Sequence, residues 1–309
     1  LFNYPDRRYF SGLSSEAGFN VDVTEKAYRL SHILSILTKD AGLKFILKGG
    51  TAINFIYFDL PRLSLDIDLN YVGSPVRETM LSDRGRIDGI LVKLFSSLGY
   101  GIRHTKRYSL QQYILEYANS VGNNDRIKVE INFSERVPIL TPVKKKFNHF
   151  FDFPEFRITT YQMEEIFATK IRALLFRTTP RDLFDVYELS KYDSVDENIL
   201  RKLAILYSCL NGDFREIDIK VIDSVTERDM KRFLLPLLRK GTDINLNEIK
   251  ETVKKFVSAL IKPDKSEQEF LEHFYKKEFM PELLFGNIRY NPEIKEHPVV
   301  KWKLQGNKS

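Results

Sequence analysis

The stretch Ser64-Leu65-Asp66-Ile67-Asp68 constrains this chain more than any other. On a β-strand, side chains alternate faces, so Ser64, Asp66 and Asp68 project to one side while Leu65, Ile67 and Leu69 project to the other. Such a strand needs a core on its apolar face and sets two carboxylates side by side on the polar one. The pair repels itself, so either one pKa rises or a cation is held; a divalent metal with hard oxygen ligands is the natural resolution. Upstream, the apolar run Phe45-Ile46-Leu47 reads as a buried strand ending at Lys48-Gly49-Gly50-Thr51. Paired glycines where a strand hands over to a helix let the backbone turn and a phosphate approach. Thr51 is placed to cap that helix and to offer its hydroxyl and N–H to the same anion. Taken singly, Gly-Gly is an ordinary turn, Lys48 a solvated strand end and Asp-x-Asp a surface edge. Together they point to Mg²⁺-dependent phosphoryl or nucleotidyl transfer, with Mn²⁺ as the alternative ion.

A second alternating run strengthens that reading. Between Arg126 and Phe133, Ile127, Val129, Ile131 and Phe133 share one face, and Arg126, Lys128, Glu130 and Asn132 share the other. Alone, Glu130 is a solvent-facing strand residue; beside Asp66 and Asp68 it becomes the third ligand of a metal site.

Around these strands, helical spacing covers Asp22–Asp40, with Gly42 as its stop, then Ala52–Phe58 and Thr79–Leu98. The carboxylate strand spans Leu63–Tyr71. Further strands are expected over Gly101–Tyr108 and Leu110–Tyr117. From Tyr161 helical spacing takes over, in Gln162–Arg177, Pro180–Leu189, Asp196–Leu210, Glu227–Arg239, Leu246–Ile261 and Ser266–Glu278. That shift predicts an α+β domain with a mixed sheet and helices over residues 1–158, and a mostly α-helical domain over 159–309. Pro292–Ser309 is polar and basic and reads as a loosely held tail.

A chain of 309 residues with 43% apolar and 29% charged residues is a packed globular protein with room for two cores. Cys209 is the single cysteine, which excludes an internal disulfide and a cysteine-built zinc site. The five histidines, His32, His104, His149, His273 and His297, have no ligand spacing. No stretch is apolar enough to span a membrane and Leu1-Phe2-Asn3-Tyr4-Pro5 lacks a signal-peptide pattern, so the expectation is a cytoplasmic protein without a membrane partner. A net charge of +6 is compatible with a polyanionic partner without requiring one.

The constellation of Gly49-Gly50, Asp66 and Asp68, and Glu130 on a later strand resembles the DNA polymerase β-like nucleotidyltransferase superfamily. More narrowly, Leu47-Lys48-Gly49-Gly50-Thr51-Ala52 and Arg62-Leu63-Ser64-Leu65-Asp66-Ile67-Asp68-Leu69 are similar to the AbiEii/MenT-type toxin branch. So are Lys170-Ile171-Arg172-Ala173, Arg177 and Pro180-Arg181-Asp182-Leu183-Phe184-Asp185. The resemblance implies a toxin of a type IV-like toxin–antitoxin system with a cognate antitoxin, and an NTP as substrate. It implies that nucleotides pass to an RNA acceptor, a tRNA 3′ end foremost.

On physical grounds, Lys170 falls on the apolar stripe of Met163, Ile166, Phe167, Ile171 and Leu174. A lysine there snorkels or faces a cleft, and a nearby phosphate site favours a triphosphate contact. Arg172 lies off the stripe and reads as solvated. Thr179-Pro180-Arg181-Asp182 has the form of a helix N-terminus, so Asp182 is either a cap or a site residue. Asp185, one turn on, is placed to meet Lys170, a metal-bound water or the base. Arg177 and Arg181 hold phosphates or pair with these acids. The expected catalytic set is Asp66, Asp68, Glu130, Lys170 and Asp185, with Asp66, Asp68 and Glu130 on the metal. The expected nucleotide contacts are Lys48, Gly49, Gly50, Thr51, Ser64, Lys170, Arg177, Arg181 and Asp182. Two rivals stand beside this reading: nucleotidylation of a protein target, and a catalytically silent NTP-binding regulatory protein.

Overall fold

The computed structural model describes residues 2–40 and 42–305. The chain divides into two compact units. One comprises the chain up to Arg136, Val143–Thr160 and Pro236–Thr242; the other comprises Val137–Pro142, Tyr161–Leu235 and the chain from Asp243 onward.

The first unit is built on a seven-stranded mixed sheet in the order β3-β4-β5-β2-β1-β7-β6. Its strands are β1 (Phe45–Lys48), β2 (Asp66–Tyr71), β3 (Gly101–Lys106), β4 (Leu110–Ala118), β5 (Asn124–Asn132), β6 (Val143–Lys146) and β7 (Arg157–Thr160). β2 runs parallel to β5 and antiparallel to β1. Its helices are α1 (Arg7–Ala17), α2 (Val21–Leu37), α3 (Gly49–Ala52) and α4 (Arg77–Ser97). Register fixes the faces: Ile67 pairs with Val129, which pairs in turn with Tyr113, and Leu69 with Ile131 and Leu47, so one face is continuously apolar. That face is buried, as are Leu30, Ile33, Leu34 and Leu37 of α2 and Ile87, Leu91 and Phe95 of α4.

Magnitudes show why β2 tolerates its acids. Two carboxylates about 6.7 Å apart along a strand repel by roughly 2.5 kcal/mol at an effective dielectric near 20. Burial of Ile67 and Leu69 contributes about 1.5–3 kcal/mol each, which outweighs that repulsion.

Several expectations change. The helix expected to stop at Gly42 ends at Leu37 with Thr38 as its cap. The helix expected over Ala52–Phe58 is the short α3 followed by a π-helical turn, Ile53–Tyr57, closed by Phe58 N–H donating to Ile53 O at 3.0 Å. α1, missed in the sequence, carries both of its end signals: Asp6 accepts from Tyr9 N–H, and Gly18 takes the left-handed conformation. β6 and β7 fall where no strand was expected.

The second unit contains α5 (Met163–Arg177), α6 (Pro180–Leu189), α7 (Glu197–Asn211), α8 (Glu227–Phe233), α9 (Leu246–Leu260), α10 (Lys265–Tyr275), α11 (Pro281–Phe285) and α12 (Pro298–Gln305). Buried carboxylates pin it together because each is given donors. Glu165, fully buried, accepts from Ile139 N–H at 2.7 Å, Leu140 N–H at 2.8 Å and Tyr207 Oη at 2.7 Å, tying Val137–Pro142 to α5 and α7. Glu267 accepts from Arg201, Lys202 and the Asp264 N–H. The helix expected over Glu227–Arg239 breaks after Phe233, where Pro236 supplies no N–H and a 3₁₀ turn, Leu235–Leu237, follows. Residues 292–305, expected as loose tail, form a 3₁₀ turn and α12, with Ile294 and Val300 buried; 306–309 lie outside the described residues. Cys209 is buried, and burial pushes its thiol up to about 12. Among the described residues no helix is long and apolar enough to cross a membrane.

Candidate active site

The polar face of the sheet gathers the first group of residues. Asp68 pairs across β2–β5 with Glu130 and across β1–β2 with Lys48, while Asp66 pairs with Lys128. Gln112 of β4 stands opposite Glu130. Strand pairing therefore brings residues up to 82 positions apart in sequence onto one polar patch.

The glycine turn is pressed against it. Gly49 has φ of +70°, and a Cβ added there would lie 2.4 Å from Asp68 Oδ2. A Cβ on Gly50 would lie 2.6 Å from Arg62 Nη2 and 3.0 Å from Ser64 Oγ. Both glycines are thus required by close approach, and the first also by its left-handed backbone. Thr51 is not the cap: Lys48 occupies the N-cap position, and the Thr51 hydroxyl donates to the Asp66 carbonyl at 2.5 Å. Lys48 Nζ lies 3.0 Å from Glu135 Oε2, a partner the sequence did not reveal because Glu135 follows the end of β5.

The electrostatics are uneven. Burial and the neighbouring Asp66 carboxylate push the Asp68 carboxyl above its ordinary range. Burial acts on Glu130 in the same sense, but Lys128 at 3.0 Å and Gln112 at 2.8 Å overcome it and hold Glu130 low. Burial would lower Lys128, yet Asp66 and Glu130 raise it. Asp66, Asp68 and Glu130 thus share one polar face, and a divalent cation would relieve the repulsion between Asp66 and Asp68. Among the described residues no three His, Cys, Asp or Glu enclose an ion by themselves. Mg²⁺ takes one or two carboxylates and completes its shell with water and substrate phosphates, and Asp66 and Asp68 would supply such a pair of hard oxygens. Lys128 and Gln112 were legible as polar-face residues of their strands, but alternation alone does not distinguish a site residue from a solvated one. Arg62, 1% exposed behind Gly50, carries no periodic signal at all.

The second group sits on α5 and α6. Lys170 Nζ lies 2.7 Å from Asp182 Oδ1 and 3.0 Å from Asp185 Oδ2, and all three side chains are buried. Arg177 grips Asp182 with two hydrogen bonds, Nε to Oδ2 at 2.7 Å and Nη2 to Oδ1 at 2.9 Å. Thr179 caps α6 by accepting from Asp182 N–H, and its hydroxyl donates to Asp182 Oδ2. Burial would raise Asp182, but the Lys170 ammonium and the Arg177 guanidinium hold its carboxyl well below the usual range. Asp182 is therefore both cap neighbour and ion-pair partner. Arg181 is half-buried on the same helix. Arg172, expected to be solvated, is half-buried, and its Nε is buried without a hydrogen-bond partner.

A paired carboxylate strand backed by a glycine turn at a strand-to-helix handover is the arrangement expected of a nucleotidyltransferase. The model of the AbiEii family, described as a nucleotidyl transferase toxin of type IV toxin–antitoxin systems, matches residues 33–265. This chain belongs to that family. Its fold is similar to that of MenT4, a nucleotidyltransferase toxin from Mycobacterium tuberculosis H37Rv, with a TM-score of 0.69 and 19% identity over 93% of this chain and 100% of that one. No curated protein matches the sequence. The chain is accordingly an enzyme that uses an NTP, and a toxin of a system that includes an antitoxin.

Proposed function

We propose that this toxin transfers nucleotides from an NTP to an RNA acceptor, foremost a tRNA 3′ end, at a site centred on Asp66 and Asp68. The observation that carries the reading is the approach of Gly49 to Asp68. It sets the backbone N–H groups of a helix start beside a carboxylate pair whose mutual repulsion pushes Asp68 up. A divalent cation held by Asp66 and Asp68 would neutralise the triphosphate and orient its α-phosphate.

The chain's own residues do the rest. The N–H groups of Gly49, Gly50 and Thr51 and the hydroxyl of Ser64 hold phosphate oxygens, with Lys48 at the strand end. In the other unit, Lys170 directs two of its three protons at Asp182 and Asp185. The acceptor hydroxyl oxygen attacks the α-phosphorus, the bond from that phosphorus to the bridging oxygen of the β-phosphate breaks, and pyrophosphate leaves. Glu130, held ionised by Lys128 and Gln112, takes the proton of the acceptor hydroxyl. A net charge of +6 suits a polyphosphate acceptor.

Incubation of the full chain with labelled NTPs and total tRNA tests this. Label is expected on RNA with the wild type and absent with Asp66→Ala. Label on protein instead would move the function to nucleotidylation of a protein target. Metal-dependent NTP binding with no transfer to any acceptor would mark a silent regulator.

A further inference from the structure

The turn between β3 and β4 carries an aromatic ring that the core leaves outside. Tyr108 is 68% exposed, and no other aromatic ring packs against it among the described residues. Its backbone is fixed all the same. Arg84 of α4 donates to the carbonyls of Arg107, Tyr108 and Leu110 at 2.7, 3.0 and 3.3 Å. Arg107 N–H donates to Leu110 O and Phe133 N–H to Ser109 O, both at 2.8 Å. The ring therefore stands on a rigid tip. Arg77 Nε donates to its hydroxyl at 3.2 Å with the guanidinium 5.7 Å from the ring centre, so this arginine sits at the hydroxyl edge and leaves the ring faces open.

Arginines surround this tip. Arg77 and Arg107 are exposed and form no ion pair among the described residues, whereas Lys106 and Arg103 of β3 are paired with Asp88 and Glu116. Arg136, buried, lies close enough to interact with Tyr108 and with Glu78, the acid of this corner. An open tyrosine face offers a nucleobase a stacking surface, and guanidinium groups beside it suit phosphate oxygens. Unpaired RNA presents both, a splayed base and the phosphates on either side of it.

The tip is also placed where an acceptor must arrive. The glycine turn follows β1, on one side of β2, while the tip lies on the other side, beyond β5. The two are opposed along the strands as well: Gly50 approaches Arg62 and Ser64, which precede β2, whereas Leu110 at the start of β4 pairs with Asn132, the partner of Asn70 near the end of β2. Asp68 and Glu130 lie between these corners. Gln112, opposite Glu130, is joined to Tyr108 by roughly 13 Å of chain at about 3.3 Å per residue. In phosphoryl transfer the attacking and leaving oxygens are roughly in line. With the β- and γ-phosphates at the glycine turn, the acceptor oxygen enters from the side of the tip. We infer that Tyr108 stacks a base of the acceptor RNA and that Arg77 and Arg107 hold its neighbouring phosphates, so that this turn positions the RNA end whose hydroxyl reaches Glu130. The inference rests on the nucleotidyl-transfer reading of the site.

Titration of fluorescently labelled total tRNA with the full chain, in the absence of NTP and over a series of salt concentrations, tests it. Tyr108→Ala is expected to weaken binding by about tenfold with the slope of log affinity against log salt unchanged, while Tyr108→Phe, which keeps the ring, stays within about twofold of wild type. Arg77→Gln and Arg107→Gln are each expected to make that slope shallower by about 0.7. In the transfer assay Tyr108→Ala should raise the KM for tRNA by about tenfold and leave the KM for NTP as it is. Tyr108→Ala within twofold of wild type in both tRNA affinity and KM overturns the inference and leaves the transfer reading standing, as does a loss in Tyr108→Phe equal to that in Tyr108→Ala. Unchanged salt slopes in both arginine variants overturn it independently of Tyr108. If wild type labels protein and not RNA, the RNA acceptor itself is wrong and the inference falls with it.

Discussion

Asp66 and Asp68 on the sheet and Asp182 and Asp185 on α6 are paired acids answered by lysines, but the two groups are balanced differently. Lys170 is 6% exposed and touches both of its acids, and Arg177 adds a second positive charge to them. On the sheet, Lys128 lies 3.0 Å from Glu130 while Asp66 and Asp68 repel each other, and the Asp68 carboxyl is pushed up while Asp182 is pulled down. Closed charge makes a structural anchor, and open charge makes a place for a ligand. The comparison yields opposite expectations for removing a charge from each group.

The largest effect is expected at the open group. Asp66→Ala should lower nucleotidyl transfer by roughly 10³–10⁴-fold, because it removes half of the proposed ion pair of ligands. Its melting temperature should stay level or rise, since the repulsion on β2 is relieved. Loss of transfer accompanied by a large fall in melting temperature would show that the carboxylates hold the fold together and would erase the contrast.

At the closed group the sign reverses. Lys170→Met should destabilise the protein by about 3–5 kcal/mol, read from denaturant unfolding, because Asp182 and Asp185 would be left buried beside an apolar side chain. The pH dependence sharpens this. A folded carboxyl held below its unfolded value, near 3.9, contributes stability that is present above that pH and lost as the pH falls. Wild type should therefore lose stability on acidification below about pH 4, in part through Asp182. Lys170→Met should show less of that loss, having lost the cation that depresses Asp182. An unchanged acid profile would break the account.

The two groups also differ in how far sequence could reach them. Asp66, Asp68 and Glu130 were legible because strands alternate with period two, and a run such as Ile127, Val129, Ile131 and Phe133 fixes which face is polar. Lys170 stood out as a cation on an apolar stripe, and Asp182 and Asp185 as acids at the start of a capped helix. The pairing of β2 with β5, which sets Lys128 beside Asp66, is a tertiary fact that periodicity does not encode. β6 escaped notice because Val143-Lys144-Lys145-Lys146 is an edge strand whose lysines carry no apolar alternation. α12 escaped because eight residues, Pro298–Gln305, are too few to show a helical stripe. The Gly49 turn was readable as a turn, but its contact with Asp68 was not.

That contact supplies an intermediate case, since it alters the open group without removing a charge. Gly49→Ala places a methyl in the space of Asp68 Oδ2 at a residue whose φ is +70°. The left-handed backbone costs about 1–2 kcal/mol for a residue with a Cβ. A carboxylate displaced by about 1 Å lowers transfer on the order of 10²-fold. Mn²⁺ affinity should weaken alongside. Wild-type metal binding in a destabilised Gly49→Ala protein would mean that the turn does not position Asp68.

The smallest effect is expected at the rim of the closed group, where Arg177 binds Asp182 through two hydrogen bonds but is 62% exposed. Water screens a guanidinium in that position, so Arg177→Ala should cost no more than about 1 kcal/mol in denaturant unfolding despite the short distances. Lys170 still neutralises Asp182 in that variant, because it lies on the buried side of the same carboxylate. If Arg177→Ala cost as much as Lys170→Met, exposure would not be what separates the two cations. If instead it left stability within 1 kcal/mol of wild type and lowered NTP affinity, Arg177 would be the point where the closed group meets the substrate, its guanidinium shared between Asp182 and a phosphate.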